Sequence, residues 1–315
     1  MKDKQHSKED LQFTKEHRQQ VFERLHQMKE PKRASIVKQK FMPVTVSLAI
    51  LGICVLLFMP AKISEPRTNN DIQTAGFVAQ QPLTTTLVTV KSKAMEDRVY
   101  LNILLTYNKD RKLLKAVSLP SDTYASVEPN IDNGGYYKLL AAYQFGGAEN
   151  VRDTVSKLLN TPIEQYAVID VEALAEMLPS IEYELSESVR VRGVIEQALQ
   201  FEQGKQQLNA EQVVALLMAA TEGNTLPEQH FTKLLQAVIE QGIIIEQLQQ
   251  YAPQIETNIA FDTQSQFDID AVQHISLKQG MQADSKRISR TEGEFFYKFS
   301  ESYLQTITAE LLAVQ

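Results

Sequence analysis

Residues 111–147 read RKLLKAVSLPSDTYASVEPNIDNGGYYKLLAAYQFGG, and their pattern decides the fold. Leu113–Leu119 is a mostly apolar run of strand length between polar turn residues, which predicts a buried strand. A loop follows, opened by Pro120, Ser121 and Asp122. Next comes an apolar-faced helix, stopped by the pair Gly146-Gly147. Strand, loop and helix in this order put polar and acidic groups just past the end of a buried strand. That is where α/β proteins usually hold a ligand.

Upstream, LTTTLVTVKS (83–92) and RVYLNILLTY (98–107) carry the β pattern. The turn Asn108-Lys109-Asp110 joins the second run to Leu113–Leu119 as a hairpin. Downstream, residues 149–159 predict a helix with Val151, Val155, Leu158 and Leu159 on one face. Pro162 precedes an apolar strand at 166–169, and residues 171–178 form a helix. Asn209 in the run LNAEQ is a candidate N-cap. A helical region spans 227–251 with Gly242 inside it, and a strand-helix unit closes the chain over 294–314. Strands alternating with helices predict an α/β sandwich.

The N-terminal quarter differs. Residues 41–61 (FMPVTVSLAILGICVLLFMPA) contain no charge, and about 20 residues at 1.5 Å each cover a bilayer's hydrocarbon core. A cleaved signal peptide would have a shorter leader and a small-residue cleavage site, whereas 40 residues precede this segment. Lys29, Lys32, Arg33, Lys38 and Lys40 flank it on the N-terminal side, which places the N-terminus in the cytoplasm. The expected division is a basic cytoplasmic tail (1–40), a single membrane span (41–61), a stalk (62–82) and an extracytoplasmic domain (83–315). In the tail, Val21, Phe22, Leu25 and Met28 recur at helical spacing. Residues 8–28 then read either as a docking helix for a cytoplasmic protein partner or as a helix lying on the membrane.

Charge sharpens this division. Residues 1–40 hold 11 Lys and Arg against 6 Asp and Glu, so a net of -7 for the whole chain leaves the remainder at -12. An acidic main domain argues against nucleic-acid binding. Cys54 is the only cysteine, which excludes disulfides and thiolate metal sites. His6, His17, His26, His230 and His274 show no metal-ligand spacing and read as surface residues.

The order of these segments resembles the LytR-CpsA-Psr family, whose pattern runs S-I-P-R-D-T-Y and then K-I-N-A-A-Y-x-Y-G-G. Here the first motif is Ser118-Leu119-Pro120-Ser121-Asp122-Thr123-Tyr124, and the second is Lys138-Leu139-Leu140-Ala141-Ala142-Tyr143-Gln144-Phe145-Gly146-Gly147. LNAEQ at 208–212 is similar to the start of the family's L-N-G-E-Q-A-L-A-Y-V-R-x-R, and Thr257-Asn258-Ile259 to its T-N-L/I element. The resemblance covers about 83 to 312. It implies an α-β-α sandwich of LytR-CpsA-Psr type on a single N-terminal transmembrane helix, in a Gram-positive cell envelope.

It also implies a chemistry. Family members look like phosphotransferases that bind a polyprenyl-pyrophosphate-linked wall glycopolymer in an apolar groove. With a divalent cation, Mg2+ or Mn2+, they pass the glycosyl phosphate to peptidoglycan. A pyrophosphate in such a groove calls for forked guanidinium donors, and the cation for carboxylates.

This chain departs from that set. The arginine of P-R-D is Ser121; the acidic residue at the strand start falls at about Leu101, followed by Asn102; and the R-x-R arginines fall at Met218 and Ala220. The following R-x-x-R pair falls at His230 and Lys233, and a Gly-Gly-Val element is replaced by Leu178-Pro179-Ser180-Ile181-Glu182. Asp122 and Lys138 match, and Arg98 lies one position from an expected basic residue. Each charge-assisted bond is worth about 1.5–3 kcal/mol, so losing several guanidiniums weakens a phosphate cradle severely. The candidate catalytic residues are thus Asp122 and Arg98, the candidate ligand-binding residues Asp122, Lys138 and Lys233, with no metal-ligand set. Asp122 can alternatively cap its own loop, and Lys138 can lie over an apolar helix.

Two functions follow. One is a non-catalytic, membrane-anchored domain that binds or senses envelope lipid or glycopolymer, regulating through its cytoplasmic tail. The other is an active glycopolymer–peptidoglycan phosphotransferase whose phosphate site is rebuilt from Arg98, Lys138, Lys233 and Asp122.

Overall fold

The computed structural model describes residues 83–128, 135–195, 197–241, 251–259, 269–283, 286–288 and 296–313. The expected tail, membrane span and stalk lie outside the described residues, as do residues 242–250 of the expected long helical region. Among the described residues no helix is long and apolar enough to cross a membrane.

A mixed six-stranded sheet organises the domain. Its first strands are β1 (Leu83–Ser92), β2 (Arg98–Asn108) and β3 (Leu113–Leu119). Both successive pairs are antiparallel, with Thr86 opposite Leu105 and Leu104 opposite Val117. β6 (Gln165–Asp170) and β12 (Ala271–Ile275) add in parallel to β1 and β3, and β11 (Ile255–Thr257) pairs antiparallel with β6. The sheet order is therefore β11-β6-β1-β2-β3-β12. Near-continuous apolar runs in β1 to β3 reflect burial on both faces.

Leu87, Leu104 and Val117 project to one face, against α1 (Ala142–Leu159), α5 (Lys278–Ala283) and α6 (Glu301–Leu312). Ile103, Leu105 and Ala116 project to the other, against α2 (Val171–Met177), α3 (Ala210–Glu222) and α4 (Gln229–Glu240). The result is the expected helix-sheet-helix sandwich. α3 is buried almost all round, from Val213 to Thr221, because α2, α4 and the sheet enclose it. It opens on a capping box: the Asn209 side chain accepts from Gln212 N, and the Gln212 side chain accepts from Asn209 N.

The Gly146-Gly147 break is real, and the helix resumes beyond it. Gly147 has φ 69°, a left-handed value that favours glycine, and a Cβ at Gly146 would sit 2.9 Å from Asn150 Cβ. Asn150, buried beside the break, donates to the carbonyls of Val127 (2.8 Å) and Ala142 (2.7 Å). It thereby ties α1 to the segment following β3.

Several short elements depart from the sequence reading. The stretch between β3 and α1 holds a hairpin, β4 (Tyr124–Ser126) with β5 (Tyr136–Lys138). Two more hairpins lie between α2 and α3: β7 (Ile181–Leu185) pairs with β10 (Gly204–Leu208), and β8 (Val189–Val191) with β9 (Leu199–Phe201). The closing unit is β14 (Phe296–Lys298), paired with β13 (Lys286–Ile288), followed by α6 with Ser300 as its N-cap.

Two histidines correct the surface expectation. His230 is buried because its Nδ1 pairs with the Tyr183 hydroxyl at 2.7 Å. His274, on β12, stacks on Phe231 with ring centroids 4.2 Å apart, and burial pushes it down to about 4.

Candidate functional site

Strand directions decide what meets what. β1, β3, β6 and β12 all end at the edge of the sheet where β2 begins. Arg98, the loop after β3 and the end of β6 therefore share one edge.

The loop after β3 is tightly held. Thr123 N donates to Pro120 O at 3.0 Å, closing a turn around Ser121 and Asp122. Leu140 N donates to Ser121 O (2.9 Å), Leu139 N to Thr123 O (2.8 Å) and Tyr297 N to Asp122 O (3.0 Å). With its backbone fixed this way, Asp122 forms an ion pair through Oδ1 with Lys138 Nζ at 2.9 Å, both side chains about a quarter exposed. Lys138 Nζ also lies 5.5 Å from the centroid of the Phe296 ring. Asp122 and Lys138, the two residues that match the family motifs, are thus partners.

Behind this pair, Ser118 Oγ lies 2.7 Å from Thr221 Oγ1, and Thr221 donates to Leu217 O at 2.8 Å. This buried contact joins the end of β3 to the end of α3, and delivers the next residue, Glu222, to the site. Burial pushes the Glu222 carboxyl up from its ordinary value; the Arg192 guanidinium opposes that shift and the Asp122 charge reinforces it. Arg192, just past β8, also lies 5.9 Å from the Tyr100 ring centroid. Burial raises the Tyr100 phenol, while Arg192 and Arg98 pull it down. Asp122, Lys138, Glu222, Arg192, Tyr100 and Arg98 therefore form one electrostatic neighbourhood.

The expected site residues divide. Asp122 and Lys138 come together. Arg98 sits at the same sheet edge, where it forms an exposed ion pair with Glu96 at 3.1 Å. Lys233 is exposed on α4, and the charge that senses it is His230; among the described residues no contact links it to Asp122 or Lys138. Of the four expected groups, the described contacts join Asp122 and Lys138.

The positions where the sequence resemblance expects charged groups are packed. Leu101, Ser121, Met218 and Ala220 are 2%, 3%, 5% and 0% exposed. Asn102 is also buried: its Oδ1 accepts from Thr89 Oγ1 at 3.0 Å, and its Nδ2 has no hydrogen-bond partner among the described residues. As for a cation, Asp122 is paired with Lys138, and burial raises the Glu222 carboxyl from its ordinary value. Among the described residues no group of three or more His, Cys, Asp or Glu is placed to hold a metal ion, so the described donors at this site do not fit one.

A second polar cluster caps the neighbouring strands. Lys91 Nζ, buried at the end of β1, bridges Asp97 (2.7 Å) and Asp170 (3.0 Å) and lies 4.6 Å from the Tyr143 ring centroid. The Tyr143 hydroxyl donates to Glu256, and burial pushes it up to about 12. Ser92 Oγ and Ala94 N donate to Glu172 at 2.8 and 3.3 Å. These contacts fix the β1-β2 turn and hence Arg98. An open cleft of about 550 Å³ beside them is lined by Lys93, Asp170, Glu172, Glu176 and Gln254. It opens at β6, three strands from β3.

Sequence reasoning missed Arg192, Glu222 and Tyr100. The alternation VRVRG at 189–193 marks a strand edge that presents Arg192, and Glu222 directly precedes the helix-ending Gly223. Neither residue has a signal in sequence that joins it to Asp122.

Comparison with known proteins agrees with this architecture. A family profile described as the LytR_cpsA_psr family matches residues 86–312. The polyisoprenyl-teichoic acid–peptidoglycan teichoic acid transferase TagU of Bacillus licheniformis is 24% identical over 223 residues, covering 66% of this chain and 70% of that protein. TagU of Enterococcus faecalis is 25% identical over 217 residues, covering 68% and 69%. The crystal structure of B. subtilis TagV superposes with a TM-score of 0.55 at 18% identity, over 74% of this chain and 96% of that one. A structure of TagT bound to LI-WTA gives a TM-score of 0.50 at 16% identity, over 76% and 93%. At these identities the structural likeness speaks for the fold.

Proposed function

This chain belongs to the LytR-CpsA-Psr family, and on that premise we propose that it binds a polyprenyl-pyrophosphate-linked wall glycopolymer without transferring it. We place it in the cell membrane as a single-pass protein, with span 41–61, tail 1–40 in the cytoplasm and domain 83–315 outside. Binding would be reported inward through residues 8–28 to a cytoplasmic protein.

One observation carries the non-catalytic half. Ser121, Met218 and Ala220 stand where the family pattern has guanidiniums, and all three are buried in packed surroundings. A developing charge on a transferring phosphoryl group needs preorganised donors aimed at it, and these positions supply none. The binding half rests on what remains at the sheet edge: Arg192, Arg98 and Lys138, three cations around one loop. The names of the relatives, teichoic acid transferases and a structure with bound LI-WTA, support the ligand class.

A second reading, transfer to peptidoglycan, is favoured by a separate observation. Burial raises the Glu222 carboxyl and the nearby Asp122 charge reinforces the rise, the arrangement of a general base beside a fixed carboxylate.

Binding is tested by titrating full-length protein in nanodiscs with a polyprenyl pyrophosphate and counting retained lipid by native mass spectrometry. We expect retention, weakened about tenfold or more by Arg192→Ala or Lys138→Ala, since each removes a charge-assisted bond. Lipid uptake that is absent, or indifferent to both variants, contradicts the reading.

A further inference from the structure

The β4-β5 hairpin displays an aromatic face that runs outward from Lys138 of the pyrophosphate site. Paired residues of an antiparallel ladder share a face, so Tyr124, Ser126, Tyr136 and Lys138 project together, with Tyr124 opposite Lys138 and Ser126 opposite Tyr136. The Tyr124 and Tyr136 rings stack with centroids 5.0 Å apart at 14°. Phe296 meets Tyr124 edge-on at 5.5 Å, and Lys138 lies over Phe296 while pairing with Asp122. A strip thus runs from Asp122 through Lys138, Phe296 and Tyr124 to Tyr136, which is 39% exposed. Lys298 Nζ flanks it, 5.8 Å from the Tyr124 centroid.

We infer that this strip is a saccharide-binding platform, taking a glycan chain that approaches the Asp122 loop from outside. A pyranose has an apolar C–H face and a rim of hydroxyls. A stacked phenol matches both, with its ring face for the former and its hydroxyl for the latter. The lysines at either end supply donors to ring hydroxyls, acetamido carbonyls or acidic substituents. The chain contains no tryptophan, so stacking of this kind falls to tyrosine and phenylalanine. A membrane surface is the competing occupant. Against it, among the described residues this face holds tyrosine, serine, lysine and Phe296 with no aliphatic side chain, whereas insertion needs buried apolar area.

The inference deepens the proposed function and rests on it for the kind of glycan. Its test is separate, because it reads sugar binding with no lipid pyrophosphate present. Full-length protein in phosphatidylcholine nanodiscs is titrated calorimetrically with the tetramer of N-acetylglucosamine and with muramidase-released peptidoglycan fragments. Saturable binding is expected with at least one of them, weakened about tenfold by Tyr136→Ala and kept by Tyr136→Phe, in line with one lost stacking contact. Tyr137→Ala, on the opposite face of the hairpin, should change it less than twofold. Tyr136→Trp also places a single tryptophan on the strip, whose emission should shift on sugar addition. Absence of saturable binding to either glycan overturns the platform, as does a Tyr136→Ala variant that binds like the wild type. So does a Tyr136→Ala variant whose loss is instead in adhesion to phosphatidylglycerol vesicles. Loss of polyprenyl pyrophosphate binding with sugar binding intact would sink the proposed function and leave the platform standing.

Discussion

Asp122 is the one acidic residue that both the motif and the fold put at the site, and its chemistry is set by neighbours from distant parts of the chain. Lys138 neutralises it at 2.9 Å, and Glu222 faces it with a carboxyl that burial drives toward its protonated form. Motif spacing identifies Asp122 and Lys138 because they lie on consecutive segments around the loop. It is silent on Arg192 and Glu222, which arrive through a short hairpin and a helix end. Raising the Glu222 pKa has a stability consequence with a definite sign. The folded state holds this proton more tightly than the unfolded chain, so stability is full below the ordinary carboxylate value of 4.5. It is lost as pH rises through the higher folded value. Glu222→Gln should therefore be the more stable protein at neutral pH, with the gap closing on acidification toward pH 4. Thermal melts across pH 4 to 8 check this; a variant destabilised at neutral pH would show that Glu222 is held as a paired anion.

At the scale of elements, long patterned segments were legible and short ladders were not. β1, β2, β3 and β6 follow from apolar runs, and α3 from its cap, because each signal extends over many residues. The hairpins of β4 with β5 and β8 with β9 hold three residue pairs each, too few for a period to stand out. β7 does alternate, with Ile181, Tyr183 and Leu185 buried and Glu182 and Glu184 exposed, yet its partner β10 carries only one apolar side chain, Leu208. The burial of α3 on all sides also explains why Met218 and Ala220 look like losses in sequence and like core in three dimensions. This helix carries Thr221 and Glu222 to the site, so its start matters to its end. Asn209→Ala removes the capping box and should cost about 1 kcal/mol, whereas Asn209→Gly should cost only a few tenths. Urea denaturation of both variants measures the difference; equal costs would assign the effect to something other than the cap.

The whole molecule combines an α/β domain with an N-terminal segment whose composition calls for a bilayer. The proposed topology puts the tail inside and the domain outside, following the basic cluster before residue 41. Protease added to intact protoplasts should then digest the chain beyond about residue 65 and spare the tail, since the membrane shields only what lies on its inner side. Protection of the domain would reverse the orientation. On the proposed topology the site faces the envelope, and the central claim is that the protein holds a lipid-linked glycopolymer and does not pass it on. The most direct measurement supplies full-length protein in nanodiscs with polyprenyl-pyrophosphate-linked glycopolymer, peptidoglycan and either Mg2+ or Mn2+. Transfer would join the glycosyl phosphate to an acceptor hydroxyl and release polyprenyl monophosphate, which chromatography quantifies. Our account predicts bound substrate with no monophosphate above the protein-free control, for wild type and Asp122→Ala alike. Monophosphate released by the wild type and abolished by Asp122→Ala would contradict it.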